Sequence, residues 1–397
     1  MKAAMVYPAG CSNLPESLDP NFQIAIALQK NGVDVTYFTM PEKTFYFYSK
    51  SLVHPKITFL APFYIPLKFS AFLQKSHFIW RSIEPKPKDV YFEFPLSLLK
   101  EIKKSSPDII HFRGFFFTNL LSIPLLKVLQ LPHIVEPVDI LHRQSFFRKT
   151  VTKAFLKMAT NIFAWQGSEL HFLVNECKIS KEKIVQVPTN GFDEKKFYPL
   201  NKKSCRQKLG LDENYRYLLY VGGLCSRMGH LIDPFPLLHI LKELNKDKKK
   251  FKLIIVGAGE ISRYVNYAKK LGVDRDIIME GIVKFSKMNT YYNAVDVLLW
   301  TFSEGGPGIG KTVNESMACG LPIVSYSNVF TLRDKDCILY VPEGDVKAMA
   351  KKVVEICEND TLRKELSRNS LRRAKECYTF SKIAQRVKRE YEKILQS

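Results

Sequence analysis

A chain of 397 residues is long enough for two domains of about 150–200 residues each. Hydrophobic residues make up 46% and charged residues 25% of the chain, which is typical of a soluble globular protein. No run of about 18 apolar residues indicates a membrane span. The net charge of +21 predicts an anionic partner, such as a phosphorylated substrate, anionic lipid or nucleic acid, unless it serves only solubility.

Several function classes lack their sequence signatures. The N-terminal residues MKAAMVYPAG contain no apolar core ahead of a small-residue cleavage site, so we expect no secretory signal and a cytoplasmic protein. The eight cysteines include no C-x-x-C pair, which argues against a zinc site and fits free thiols in a reducing compartment. No RRM or zinc-finger signature occurs, and we expect no nucleic-acid partner.

Apolar strand-like runs alternate with helical stretches in the first half of the chain. Strands that alternate with helices of this length indicate βαβ units and a parallel sheet. The successive segments are AAMVY, FQIAIALQKNG, VDVTYF, DIIHF, LLSIPLLKVLQL and PHIVEP.

A second series of the same kind begins near residue 216, after a polar, turn-rich linker over 187–204. A charged helical segment follows it from about residue 345. We therefore predict an α/β protein of two doubly wound domains. The segments of the second series are RYLLYVGG, LLHILKELNK, KLIIVGAG, SRYVNYAKKLG, DIIME, SKMNTYYNA, VDVLLW and PIVSYS.

Glycine-containing loops follow three strands of the second series. They are VGG (221–223), VGAGE (256–260) and EGGPGIGKT (304–312). Open α/β sheets bind ligands outside the carboxyl ends of their strands, so we expect the three loops to line one ligand site.

The third loop also matches the P-loop pattern G-x-x-x-x-G-K-[ST] over residues 305–312. A P-loop strand normally opens its domain, and the next strand, LPIVSYS, ends without an acidic residue to hold Mg²⁺. A P-loop NTPase therefore stays an outside alternative. The glycines, Lys311 and the following helix N-terminus favour binding of a pyrophosphate that belongs to a sugar nucleotide.

The segment TFSEGGPGIGKTVNESMACGLPIVSYSN resembles the donor-site signature of GT-B glycosyltransferases of the large retaining family 4. Further stretches resemble that family in the same order along the chain: SPDIIHFRG, VPTNGFDEKKFYP, LLYVGGL, LIIVGAGE, LYVPEGDVKAMAKKV and CYTFSKIAQRVKREYEKI.

The resemblance implies the GT-B fold, in which two Rossmann-like domains face each other across a cleft. Residues 1–198 would bind the acceptor, residues 199–376 would bind the donor, and a helix over 377–397 would return to the first domain. The implied activity moves a sugar from a nucleotide-diphosphate sugar to a glycan or lipid-linked acceptor with retention of configuration. It implies no metal and no cofactor beyond the donor substrate.

The resemblance also assigns roles on the donor side. Glu304 would contact the donor sugar and steady the positive charge that develops at its ring, which makes it the candidate catalytic residue. Glu315 would accept hydrogen bonds from the ribose hydroxyls. The other implied donor-binding residues are Gly222, Gly223, Arg227, Gly308, Ile309, Gly310, Lys311 and Thr312.

On the acceptor side, Gly10 and Cys11 follow the first strand and should border the acceptor. Glu136 and Asp139 stand near the position where the family often carries a histidine, and we assign them to the same side. His111 lies in an apolar strand, and we expect it to be a packed core histidine.

The spacing of the two glutamates departs from the family pattern. Ten residues separate Glu304 from Glu315, whereas seven usually intervene. We favour a three-residue insertion that leaves Glu304 able to reach the sugar. Loss of the first acid is the alternative.

The basic residues of the family's first donor loop are also replaced. Gly223 and Met228 stand where the family has arginine and lysine, with Arg227 and Lys311 as substitutes. A catalytically silent relative that acts as a binding subunit is therefore the main alternative. Two D-x-D triplets, at 274–276 and 334–336, lie in polar turns and are expected to be solvated.

The segment SFFRKTVTKAFLKMATNIF (145–163) has the pattern of a basic amphipathic helix. Lys149, Lys153 and Lys157 share one face, and apolar residues share another. Such a helix can lie on an anionic membrane, which would make the protein peripheral at the cytoplasmic membrane face. An ordinary helix whose apolar stripe packs on the sheet explains the pattern equally.

Overall fold

The computed structural model describes most of the chain in two compact units. Unit 1 contains Met1–Trp165, Glu169–Thr189 and Ile383–Ser397, and unit 2 contains Gln166–Ser168 and Asn190–Lys382. The described residues are 1–7, 20–39, 56–59, 63–65, 90–92, 95–113, 117–137, 146–165, 167–224, 235–246, 250–301, 310–327 and 334–396.

Unit 1 is built on a parallel sheet. Its described strands are β1 (Lys2–Tyr7), β2 (Asp34–Thr39), β3 (Lys56–Phe59), β4 (Phe63–Ile65), β5 (Val90–Phe92), β6 (Ile109–Arg113), β7 (His133–Glu136), β8 (Asn161–Ala164) and β9 (Ile184–Gln186). Seven of them form the sheet in the order β3-β2-β1-β6-β7-β8-β9, and β4 pairs antiparallel with β5. The predicted parallel sheet is confirmed.

Helices connect these strands. They are α1 (Pro20–Lys30), α2 (Pro95–Ser105), α3 (Phe117–Val128), α4 (Phe146–Met158) and α5 (Gly167–His171). The apolar residues Ile24, Ala25 and Leu28 of α1 are fully buried, as their helical spacing predicts. Gly32, with φ of 80°, ends the turn after α1 in a conformation that glycine adopts without strain.

Unit 2 contains a second parallel sheet. Its strands are β10 (Arg216–Val221), β11 (Phe251–Val256), β12 (Ile277–Gly281), β13 (Val297–Trp300), β14 (Ile323–Ser327) and β15 (Ile338–Pro342). The order β12-β11-β10-β13-β14-β15 means that the chain moves outward on one side of β10 and then crosses to its other side. The point between β10 and β13 is therefore a topological switch point, where α/β sheets bind ligands.

The second half of the chain contains the helices of unit 2 and a last helix whose residues from Ile383 belong to unit 1. They are α6 (Lys202–Lys208), α7 (Phe235–Asn245), α8 (Ile261–Leu271), α9 (Met288–Ala294), α10 (Lys311–Ala318), α11 (Val346–Glu358), α12 (Asp360–Arg373) and α13 (Phe380–Gln396). Asn201, Asp345 and Asn359 cap α6, α11 and α12 by accepting backbone N–H bonds. In the part of the chain that is described, no helix is both long and apolar enough to cross a bilayer.

The segment 145–163 is not one helix, because α4 ends at Met158 and Ile162 lies in β8. Leu156 is fully buried in the core of unit 1, and Phe155 and Met158 pack against the same cluster. The described C-terminal half of α4 therefore uses its apolar side chains to hold the sheet, as an ordinary surface helix does.

A buried carboxylate joins α6 to the sheet of unit 2. Asp296 accepts hydrogen bonds from Lys202 Nζ at 2.6 Å, Arg206 Nη2 at 2.8 Å and the backbone N–H of Tyr217 at 2.7 Å. Asp296 is 3% exposed and Arg206 is 7% exposed, so the ion pair between them is shielded from water.

We expect Asp296→Ala to lower the free energy of unfolding by about 3–5 kcal/mol, because it leaves the Arg206 guanidinium buried without its carboxylate. Denaturant titration measures the loss. Lys202→Met is the matched control and should cost about 1 kcal/mol or less, since the Lys202 side chain is 41% exposed. Equal losses in the two variants would contradict this account.

Candidate functional site

The described residues of the loops after β10 and β11 are hydrogen-bonded to each other beside the switch point of unit 2. The backbone N–H of Gly222 donates to the carbonyl oxygen of Val256 at 3.0 Å, and the N–H of Leu224 donates to the carbonyl oxygen of Ala258 at 2.8 Å. The backbone N–H of Glu260 in turn donates to the carbonyl oxygen of Leu224 at 2.6 Å. The two loops therefore act as one pre-formed wall beside the end of β10.

Two glycines of this wall differ in the space around them. Gly257 has φ of 152°, and a Cβ built there would lie 1.8 Å from the carbonyl oxygen of Gly222. At Gly223 the nearest atom among the described residues would be 3.9 Å away, which is ordinary contact. Gly257 is therefore required by the backbone, whereas Gly223 has room for a side chain.

Helix α10 starts at the same edge, following β13. Its N-cap residue Gly310 is extended, with φ of −85° and ψ of 179°, and makes no side-chain cap hydrogen bond. No acidic residue lies in the first turn. Unpaired N–H groups and the positive end of the helix dipole together attract anions, so this terminus suits a phosphate group.

Glu315 lies one turn inside α10 and is 4% exposed. Its Oε2 accepts a hydrogen bond from the Tyr292 hydroxyl at 2.9 Å. Its Oε1 has no hydrogen-bond partner among the described residues, since Lys311 Nζ lies 3.8 Å away. Burial raises the pKa of Glu315 from its ordinary value of 4.5 to about 7, although Lys311 and Tyr292 act in the opposite direction. A buried, half-paired carboxylate is typical of a ligand site.

Lys311 holds its charge beside the helix terminus. Its Nζ lies 4.3 Å above the centre of the Phe285 ring, and its side chain is 28% exposed. Phe285 begins the short helical turn after β12 and also contacts Phe197 edge to face. A cation over an aromatic face is partly held in place, so the ammonium group is positioned and still reachable.

Residues 215–359 match the family described as Glycosyl transferases group 1. HepE from Anabaena, solved in complex with UDP, superposes with a TM-score of 0.74 at 15% identity, covering 99% of this chain and all of that one. That coverage includes both parallel-sheet units. The fold is GT-B.

Two curated relatives show how far the sequence similarity extends. An uncharacterized glycosyltransferase of Methanocaldococcus jannaschii is 23% identical over 63% of this chain and 62% of its own length. An α-1,4-N-acetyl-D-galactosaminyltransferase of Campylobacter jejuni, named for an undecaprenol-linked substrate, is 25% identical over 70% of this chain and 73% of its own. The chain thus matches about three fifths of the length of the first relative.

Some of the site residues predicted from the sequence lie in the part of the chain that the structure describes. Gly222 and Gly223 lie in the wall after β10, and Gly310, Lys311, Thr312 and Glu315 lie at the start of α10. Their roles stay predictions. Outside the described residues are Gly10, Cys11, Asp139, Arg227, Glu304, Gly308 and Ile309.

Glu136 belongs to a buried cluster in unit 1 of the GT-B fold. Its carboxylate lies 2.9 Å from Arg113 Nη2 and 3.1 Å from His111 Nε2. The other nitrogen of His111 lies 2.7 Å from the Tyr391 hydroxyl, and burial lowers the pKa of this histidine. The expectation that His111 is a core residue is confirmed. An acceptor contact by Glu136 stays a prediction, since Glu136 is 3% exposed and already paired.

Arg113 and Tyr391 were missed at the sequence level. Arg113 also donates to the carbonyl oxygen of Thr189 at 3.1 Å. A charged residue at the end of an otherwise apolar strand is the signal that could have identified Arg113. Tyr391 carries no such signal, because its partner His111 is 280 positions away in the chain.

The expectation that both D-x-D triplets are solvated is wrong for Asp334. Its side chain is 1% exposed and accepts hydrogen bonds from Arg373 Nε at 2.5 Å and from the Tyr378 hydroxyl. The Arg373 guanidinium compensates for the desolvation of the buried Asp334 carboxylate. The ion pair connects the segment before β15 to the end of α12. Across the described ranges, no three His, Cys, Asp or Glu residues come together as a metal site.

Proposed function

We propose that the protein is a glycosyltransferase that moves a sugar from a nucleotide-diphosphate sugar to a glycan or lipid-linked acceptor. The observation that supports this most directly is the half-paired carboxylate of Glu315 one turn inside α10, a helix whose N-cap residue Gly310 has no side chain to cap it. A single nucleotide-sugar donor could bind both the helix N-terminus and the Glu315 carboxylate. Its diphosphate needs positive charge and N–H donors, and its ribose hydroxyls need a buried acceptor.

The proposed chemistry breaks the bond between the anomeric carbon and the diphosphate and forms a bond from that carbon to an acceptor hydroxyl. The hydroxyl loses its proton, and the diphosphate leaves with added negative charge. The N-terminus of α10 and Lys311 would stabilise that charge, which is the kind of term that dominates many enzymes. We propose that these groups supply the charge without a metal ion.

The finer parts of the proposal rest on resemblance. Retention of configuration, the contact of Glu304 with the donor sugar and the ribose contact of Glu315 follow the family 4 pattern. The lipid-linked acceptor is supported by the name of the C. jejuni relative. Such an acceptor places the reaction at the cytoplasmic face of a membrane.

Purified protein incubated with UDP-, GDP- and ADP-sugars tests the proposal. We expect turnover of one sugar nucleotide, measured as release of its nucleoside diphosphate, and enhancement of that turnover by a lipid-linked acceptor. ATP with Mg²⁺ is the control. Hydrolysis of ATP without turnover of any sugar nucleotide would refute the proposal and favour an NTPase.

A binding subunit without catalysis is the second candidate, because Gly223 supplies no cation where the family has arginine. The free space at Gly223 makes this alternative testable. We expect Gly223→Arg to tighten donor binding about tenfold through a charge-assisted bond to the diphosphate. Tight binding without turnover in both the wild type and this variant would establish the binding subunit.

A further inference from the structure

Unit 1 carries an exposed apolar tip at the end of α3. Val128 is 79% exposed, Leu129 is 58% exposed and Leu125 is 38% exposed. All three lie within the last turn of α3 and the residue after it. Single exposed apolar residues are common, but three large ones together mark an interaction surface.

Lysines lie at the same edge of the sheet as this tip because of the way the sheet is connected. Helices α2, α3 and α4 pack side by side, with α3 in the middle. Each runs back to the amino end of the next strand, so their last turns come to the same edge of the sheet. These last turns contain Lys103 and Lys104 in α2, Lys127 in α3 and Lys157 in α4.

Further charges at this edge leave the balance positive. Lys183 donates to the carbonyl oxygens of Lys157 and Ala159, which end α4. Of the acids at this edge, Glu101 is paired with Lys104, Asp108 accepts from the backbone N–H of Lys2, and Glu182 accepts from the Ser180 hydroxyl. Lysines in the last turn of a helix also interact favourably with the helix dipole. That interaction explains the lysines but not the exposure of Val128 and Leu129.

We propose that this tip, formed by Leu125, Val128 and Leu129 with the adjoining lysines, docks on an anionic lipid surface. The apolar side chains enter the headgroup layer, and the lysines contact lipid phosphates. A second copy of the chain is disfavoured as the occupant, because it would bring its own lysines against these and carries a net charge of +21. The surface shares only Lys157 with the α4 face that the sequence indicated, and it rests on unit 1 alone rather than on the proposed transfer reaction.

Vesicle flotation of the full chain tests the proposal. We expect the wild type to float with vesicles of phosphatidylcholine and phosphatidylglycerol, and to remain in solution with phosphatidylcholine alone. The double variant Val128→Ser/Leu129→Ser should bind at least about tenfold more weakly, because it removes two apolar side chains from the headgroup layer. Lys127→Gln should weaken binding about fivefold.

Leu395→Ser is the matched control. Leu395 also belongs to unit 1 and is 38% exposed, so its replacement should leave flotation unchanged. Equal recovery of the wild type with both vesicle types, or unchanged flotation of the double variant, would overturn the proposal. A wild-type dimer in light scattering that the double variant abolishes would assign the tip to self-association instead. Turnover of a soluble donor is independent of all these readouts.

Discussion

Replacing Glu315 with Gln is expected to stabilise the protein above pH 7 by about 3 kcal/mol. The folded state holds the Glu315 proton up to a pKa of about 7, whereas the unfolded chain releases it near 4.5. Folded wild-type protein thus binds the extra proton between these values, and its stability falls as the pH rises through that window. The Gln variant has no such proton and keeps its hydrogen-bond acceptor for Tyr292.

Denaturant titrations of both proteins at pH 4 and pH 8 measure the difference. It should be small at pH 4, where both side chains are neutral, and largest at pH 8. Parallel pH profiles for the two proteins would show that Glu315 is not a buried, ionising group.

The same residue should be needed for donor binding. We expect Glu315→Ala and Glu315→Gln to weaken binding of the sugar nucleotide by about ten- to a hundredfold, because a hydrogen bond to a charged group is lost. Isothermal titration calorimetry with the donor identified by the turnover assay measures this. Glu355→Gln, in an exposed ion pair with Lys352, is the control and should bind normally. A group that lowers stability while improving binding has a functional reason to be retained.

Gly257→Ala should disrupt the packing of the two loops beside β10 and lower the free energy of unfolding by about 3–5 kcal/mol. The new Cβ would lie 1.8 Å from a backbone oxygen of Gly222, and one of the two loops would have to move. Donor affinity should fall with it, because both loops follow strands at the same edge of the sheet from which α10 starts.

Gly272→Ala separates steric crowding from backbone strain. Gly272 also has a positive φ, of 71°, but no atom of the described residues lies within 4 Å of a Cβ built there. Its replacement should cost only about 1–2 kcal/mol, the usual penalty of a left-handed alanine. Thermal or denaturant unfolding of the two variants gives the comparison. Similar losses would mean that the contact with Gly222 relaxes freely.

The sequence predicted the secondary elements of both units well where periodicity was strong. The runs from Arg216 to Val221 and from Phe251 to Val256 are strands as expected, and their parallel pairing follows from the helices between them. The prediction was less accurate at element ends. The sequence predicted one helix over 145–163, although α4 ends at Met158. The spacing of apolar and basic residues continues past the end of the helix, and no local sequence signal shows where the helix stops.

The residues at the candidate site were partly visible in the sequence. The sequence indicated the glycine loop, the lysine and the helix start from Gly310 to Glu315, because these features have local signatures. Their contacts with a donor diphosphate and ribose stay predictions. The hydroxyl that fixes Glu315 belongs to Tyr292, and the ring beneath Lys311 belongs to Phe285. Neither has a local pattern that connects it to α10.

By itself, the sequence determined the alternation of strands and helices, the parallel character of both sheets and the position of the glycine loops at strand ends. These features depend on hydrogen bonds and side-chain periodicity within a few residues. Only the tertiary structure decided that Glu315 is half-paired, that Asp334 is buried against Arg373, and that the end of α3 is exposed beside lysines. Burial and pairing depend on which distant segments pack together, and no short stretch of sequence contains that information.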